Sequence, residues 1–143
     1  MAVDTSLDSQ GKGCEVGGVG SCVDELLARA DVSALIPQYD SKAEEWWAAW
    51  GEWLIGSEVE GEVVETYYHP LTFHLAGESY TPDFLHLLAD GRLVLVEIKG
   101  STKQKGYRDA RSKLRAAAVM YPWVTWYEAL VGRGGWEKLE RIR

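Results

Sequence analysis

Cysteine is scarce in this chain. Cys14 and Cys22 are its only thiols. Neither has a histidine nearby and there is no second pair to complete a zinc site, so the expectation is free thiols in a reducing cytoplasm. Long apolar runs are also missing, since no stretch reaches the roughly 18 residues of a membrane-spanning helix. The chain does not open with a basic region followed by an apolar segment, so no secretory signal is expected. The three histidines, His69, His74 and His86, lack metal-ligand spacing and a nucleophile system, and read as half-buried strand residues. No internal repeat is visible.

What is present is ordinary globular material. Of 143 residues, 46% are hydrophobic and 26% charged, enough for one domain that buries a core without covalent or metal staples. The net charge of -7 argues at first against a polyanionic partner, but its distribution does not. Residues 1 to 66 carry 14 acids against Lys12, Arg29 and Lys42. From Glu97 to Arg115, seven bases oppose Glu97 and Asp109, a local net of +5. A basic patch of this kind suits phosphate, and it equally suits a solvated helix face.

Residues 1–20 are glycine-rich without a hydrophobic period and read as a flexible tail, leaving 21–143 as the single domain. Ser21 is placed to cap a short helix through Ala30. A second helix starts at Asp40 or Ser41 and runs to Leu54. Trp46, Trp50, Trp53 and Leu54 share one of its faces, with Trp47 beside them, which predicts a bulky core anchor. Ser41-x-x-Glu44 fits a capping box, a structural role for that glutamate. Val63 to Tyr68 and Leu71 to Leu75 read as strands, and His69-Pro70 as a bend. Tyr107 to Tyr121 reads as a helix, Val124 to Val131 as a strand, and Trp136 to Arg143 as a short tail element. The expected fold is mixed α/β, a central mixed sheet flanked by helices.

The most informative stretch is Tyr80 to Gly100, YTPDFLHLLADGRLVLVEIKG. It holds two apolar runs around a turn, with Asp83, Glu97 and Lys99 at their outer ends. Charges inside apolar strands cost several kcal/mol unless paired. With a two-residue Asp90-Gly91 turn, Asp83 would face away from Glu97. A three-residue Ala89-Asp90-Gly91 loop, a type I turn followed by an αL glycine, sets Asp83 opposite Glu97, with Lys99 on the same face. Opposed carboxylates at that spacing repel unless a proton or cation intervenes. A hard divalent ion such as Mg²⁺ relieves the conflict. A structural ion pair between Lys99 and Glu97, with Asp83 capping a turn, explains the same pattern.

Pro82-Asp83 followed by Glu97-Ile98-Lys99 resembles the signature of the PD-(D/E)XK nuclease superfamily. With Asp40-Ser41-Lys42-Ala43-Glu44 and the basic helix that follows, the stretch from Tyr39 to Leu130 is similar to small phage-encoded nucleases of that superfamily, which include Holliday junction resolvases. The resemblance implies a restriction-endonuclease-like core and a Mg²⁺-dependent endodeoxyribonuclease, with Mn²⁺ able to substitute. It implies metal ligation by Asp83, Glu97, the Ile98 carbonyl and Glu44, with Glu45 the alternative helix carboxylate, and catalytic roles for Glu44, Asp83, Glu97 and Lys99. Lys103, Lys105, Arg108, Arg111, Lys113 and Arg115 would hold the DNA backbone. The implied partner is branched or four-way-junction DNA in phage recombination or replication. The protein would act as a homodimer in the host cytoplasm, away from membranes. A repair or restriction-type nuclease acting on linear duplex, and a DNA-binding module without catalysis, are the alternatives.

Overall fold

The computed structural model describes residues 38–143. The tail expected at 1–20 and the helix expected at 21–30 lie outside them, as do Cys14 and Cys22. The described chain runs α1 (Lys42–Glu58), β1 (Val63–Tyr68), β2 (Phe73–Leu75), β3 (Glu78–Tyr80), β4 (Phe84–Leu88), β5 (Leu93–Lys99), α2 (Tyr107–Met120), β6 (Thr125–Gly132) and β7 (Gly135–Ile142). Five strands form a mixed sheet in the order β1-β4-β5-β6-β7, and β2 and β3 make a separate hairpin. Among the described strands only the β5–β6 pair is parallel, and α2 makes the crossover that a parallel connection needs. Among the described residues no helix is long and apolar enough to cross a membrane.

The central hairpin closes through the three-residue loop. The Leu88 amide donates to Arg92 at 2.9 Å, the Gly91 amide donates to Leu88 at 2.9 Å, and Gly91 holds φ +88°, a conformation that favours glycine. Phe84 pairs with Val96 and Leu85 with Leu95, so the register is the one that brings Asp83 opposite Glu97. Alternate residues then face opposite sides, and both sides are covered. Phe84, Leu88, Val94, Val96 and Ile98 pack with Trp47, Leu54 and Ile55 of α1. Leu85 and Leu95 pack with Leu114, Ala117 and Ala118 of α2 and with the β2–β3 hairpin.

Helix α1 differs from expectation in the face it buries. Glu44, Trp47, Gly51, Leu54 and Ile55 point inward. Trp47 is fully buried, whereas Trp50 and Trp53 are 55% and 69% exposed. Two stripes compete on this helix, and the one with more bulk loses. Gly51 leaves room for the Trp47 indole, which a β-carbon there would meet at 2.3 Å. The indole Nε1 donates to His86 Nε2 at 3.0 Å. His86 is therefore a satisfied core residue; its Nδ1 lies 2.9 Å from the Thr66 hydroxyl, and burial lowers its pKa to about 4. The helix also runs past the expected end at Leu54 to Glu58, and the terminal segment is a full strand paired with β6 rather than a short tail.

Candidate active site at the open end of the central hairpin

A cleft of about 460 Å³ opens where β5 ends beside the start of α1, lined in part by Glu44, Asp83, Ile98 and Lys99, with Lys42 and Arg133 also contributing. Asp83 sits one residue before β4, and its Oδ2 accepts the Ile98 amide at 2.6 Å. Its Oδ1 is 3.6 Å from His69 Nε2. Burial, then the charge of Glu97 and more weakly that of Glu44, push the Asp83 carboxyl up to about 8, against the downward pull of the Ile98 amide and Lys99. Burial first, and then the neighbouring carboxylates, favour the protonated form of Asp83, and the carboxylate part of that effect also favours a bound cation.

Glu97 is buried at 6% exposure and both its oxygens are engaged. Lys99 Nζ donates to Oε1 at 2.6 Å and the Tyr80 hydroxyl donates to Oε2 at 2.7 Å. Burial alone would lower the Lys99 ammonium, but the charge and hydrogen bond of Glu97 outweigh it and hold it above its ordinary value. Tyr80 is itself held well above the usual phenol range, by burial and then by Glu97. The ion-pair alternative read from the sequence is thus present, beside an Asp83 that, among the described residues, has no cationic partner of its own at salt-bridge distance unless His69 is protonated.

Glu44 faces inward, while Glu45 is exposed and pairs with Lys42 at 2.9 Å. Half of the capping box forms: the Ser41 hydroxyl accepts the Glu44 amide at 3.2 Å, but Glu44 Oε1 takes the Ser41 hydroxyl, at 3.0 Å, in place of the Ser41 amide. Tyr68 donates to Oε2 at 2.5 Å and the Asp40 amide to the same oxygen at 3.2 Å. Capping and site placement therefore coexist in one side chain. Asp40, Glu44 and His69 offer ligand atoms within 4.8 Å of one another, although the Glu44 oxygens already carry those bonds.

The oxygen donors of Asp83, Glu97 and Glu44 are the hard type that suits Mg²⁺. At Glu97 an ion would sit close to the Lys99 ammonium, which is bound to Oε1. Of the residues expected to contact DNA, Lys103, Lys105, Arg108 and Arg115 are exposed and Lys113 is half-buried beside Asp109 and Glu78. Arg111 does not fit that role. Its guanidinium is turned inward, bonding Glu128 through Nη1 and Glu140 through Nη2, the latter at 2.8 Å. Helical spacing could not show this, because both partners lie on strands far along the chain.

Sequence reasoning assigned no role to Tyr68, Tyr80 or Glu128. Glu128 carries the signal that exposed Glu97, a lone charge in the apolar run TWYEALV. The two tyrosines have no such mark. No protein-family model matches this chain, and no curated protein or solved structure is detectably similar to it.

Proposed function

We propose that the protein is a Mg²⁺-dependent endodeoxyribonuclease with a PD-(D/E)XK-type core. The observation that carries this reading is the convergence of Asp83, Glu97 and Lys99 at one end of a hairpin whose register is set by a three-residue loop. Asp83, Glu97, Glu44 and the Ile98 carbonyl would hold the ion. When bound, it supplies Lewis-acid stabilisation of the phosphoryl oxygens and a more acidic water. Lys99 places a cation at the cleft where negative charge accumulates during phosphodiester hydrolysis. Lys42 and Arg133 add positive charge to the wall. The exposed Lys103, Lys105, Arg108 and Arg115 hold the flanking backbone, contacts that are salt-sensitive and carry no base information.

Such contacts, in a domain with no separate base-reading module among the described residues, favour substrates recognised by shape. Branched DNA cut by a homodimer with two sites is the form we put forward. The test is cleavage of labelled four-way junction, fork and linear duplex with Mg²⁺ or Mn²⁺, beside Asp83→Ala and Lys99→Ala. The expected result is preferential junction cutting, abolished by the first variant and slowed about 10²- to 10³-fold by the second. No cleavage of any substrate with either ion would refute the nuclease reading. Equal cutting of linear duplex would refute the junction preference alone.

A further inference from the structure

Three glutamates stand side by side across the sheet. Glu97 on β5 pairs with Glu128 on β6, which pairs with Glu140 on β7, so all three side chains leave the face that α2 covers. Adjacent like charges repel, and cations hold this row together. Lys99 binds Glu97 at 2.6 Å, Arg111 bridges Glu128 and Glu140, and Lys138 binds Glu140 at 2.7 Å.

One oxygen is left out. Glu128 is 6% exposed, and its Oε1 accepts both the Tyr107 hydroxyl, at 2.8 Å, and Arg111. Its Oε2 is buried and has no hydrogen-bond partner among the described residues. An unmet buried acceptor costs about 1–3 kcal/mol, and more when charged, so the fold retains this atom at a cost. Lys99 lies on the neighbouring strand and the same face, two residues beyond the position paired with Glu128. Strand geometry puts the two β-carbons about 8 Å apart, within the combined reach of a lysine and a glutamate, and the ammonium already feels the Glu128 charge.

We propose that Glu128 Oε2 is a second seat for the Lys99 ammonium, taken up when a divalent cation claims Glu97. The inference rests on the metal-site reading above. The ammonium held 2.6 Å from Oε1 repels a divalent cation brought to the same carboxylate. A bare buried acceptor one strand away lets the ammonium leave that oxygen without entering solvent. Glu128 is thus a positioning residue acting through Lys99, and Arg111 and Tyr107 fix it by its other oxygen.

The experiment uses the full chain, titrated with Mg²⁺ by calorimetry and by NMR of the lysine ammonium groups, with Lys99 assigned through Lys99→Ala. In wild type, the Lys99 ammonium signal shifts on Mg²⁺ addition and stays protected from solvent exchange. In Glu128→Gln, which puts an amide donor at the Oε2 position, the signal is lost to exchange on Mg²⁺ addition and the Mg²⁺ Kd rises about tenfold, the scale of one charge-assisted hydrogen bond. Glu140→Gln removes the same charge from the row but leaves Lys99 protected and changes Kd less than about twofold, which separates a seat from a general field effect.

Exchange of the wild-type Lys99 ammonium like that of an exposed lysine in saturating Mg²⁺ overturns the proposal, and this reading stands even if Glu128→Gln does not fold. Equal behaviour of wild type and a folded Glu128→Gln overturns it too, while leaving the nuclease reading intact. Absence of any divalent binding by wild type removes both.

Discussion

The ionisation of Asp83 can be tested in metal-free protein. Its carboxyl is pushed up to about 8 in the fold, by burial first and then by Glu97, from an ordinary value of 3.8. From about pH 4 upward the folded protein keeps a proton that the unfolded chain has lost. The associated stability is complete below the unfolded value and is lost as pH rises, until the folded carboxyl itself ionises near pH 8. One pH unit corresponds to 1.36 kcal/mol, so between pH 4 and pH 7 Asp83 alone should remove about 4 kcal/mol. Asp83→Asn has no such proton. Urea unfolding of both proteins in chelator, from pH 4 to pH 8, should show the variant gaining about 4 kcal/mol on wild type between pH 4 and pH 7. Saturating Mg²⁺ should close most of that gap by binding wild type alone. Parallel stability curves in chelator would show that Asp83 is not held protonated and would remove the electrostatic argument for a cation site.

Two further perturbations probe the framework around the site. Arg111→Ala strips the shared cation from buried Glu128 and from Glu140 and should cost about 3–5 kcal/mol in urea unfolding. Arg108→Ala and Arg115→Ala should stay within about 0.5 kcal/mol while weakening DNA binding and lowering its salt slope; similar stability losses for all three would contradict the inward placement of Arg111. Trp47→Phe leaves His86 Nε2 without its donor and should destabilise by about 1–3 kcal/mol, whereas Trp53→Ala should change stability by about 0.5 kcal/mol or less. A larger loss from Trp53 than from Trp47 in thermal unfolding would mean that α1 presents the other face to the sheet.

The central hairpin was readable because its information is local. Ala89-Asp90-Gly91 sets the loop, the loop sets the register, and period-two alternation assigns Asp83, Glu97 and Lys99 to one end. Helix α1 was misread for a physical reason. Its hydrophobic period supports two stripes, and what selects Trp47, Gly51, Leu54 and Ile55 is a small residue that admits an indole and a histidine 39 positions away that accepts its proton. Neither is visible in a helical projection. Arg111 and Lys138 look like ordinary surface bases until β6 and β7 bring Glu128 and Glu140 beside them. Segment 78–80 pairs with β2 and carries Tyr80 to Glu97, a contact no local spacing specifies.

The single parallel pairing, β5 with β6, also bears on the order in which the molecule assembles. A hairpin closed by three residues forms on a microsecond scale, whereas a parallel pair must wait for its crossover segment and bears the entropy of closing that longer loop. Glu97 and Lys99 therefore become neighbours early, while Glu128 reaches them only when α2 docks and β6 zips onto β5. An intermediate trapped before that step would carry the hairpin and its ion pair but lack one wall of the cleft, since Val131, Gly132 and Arg133 arrive with β6 and the turn after it. Mutations that slow the crossover should then delay completion of the cleft during refolding beyond the recovery of most of the secondary structure.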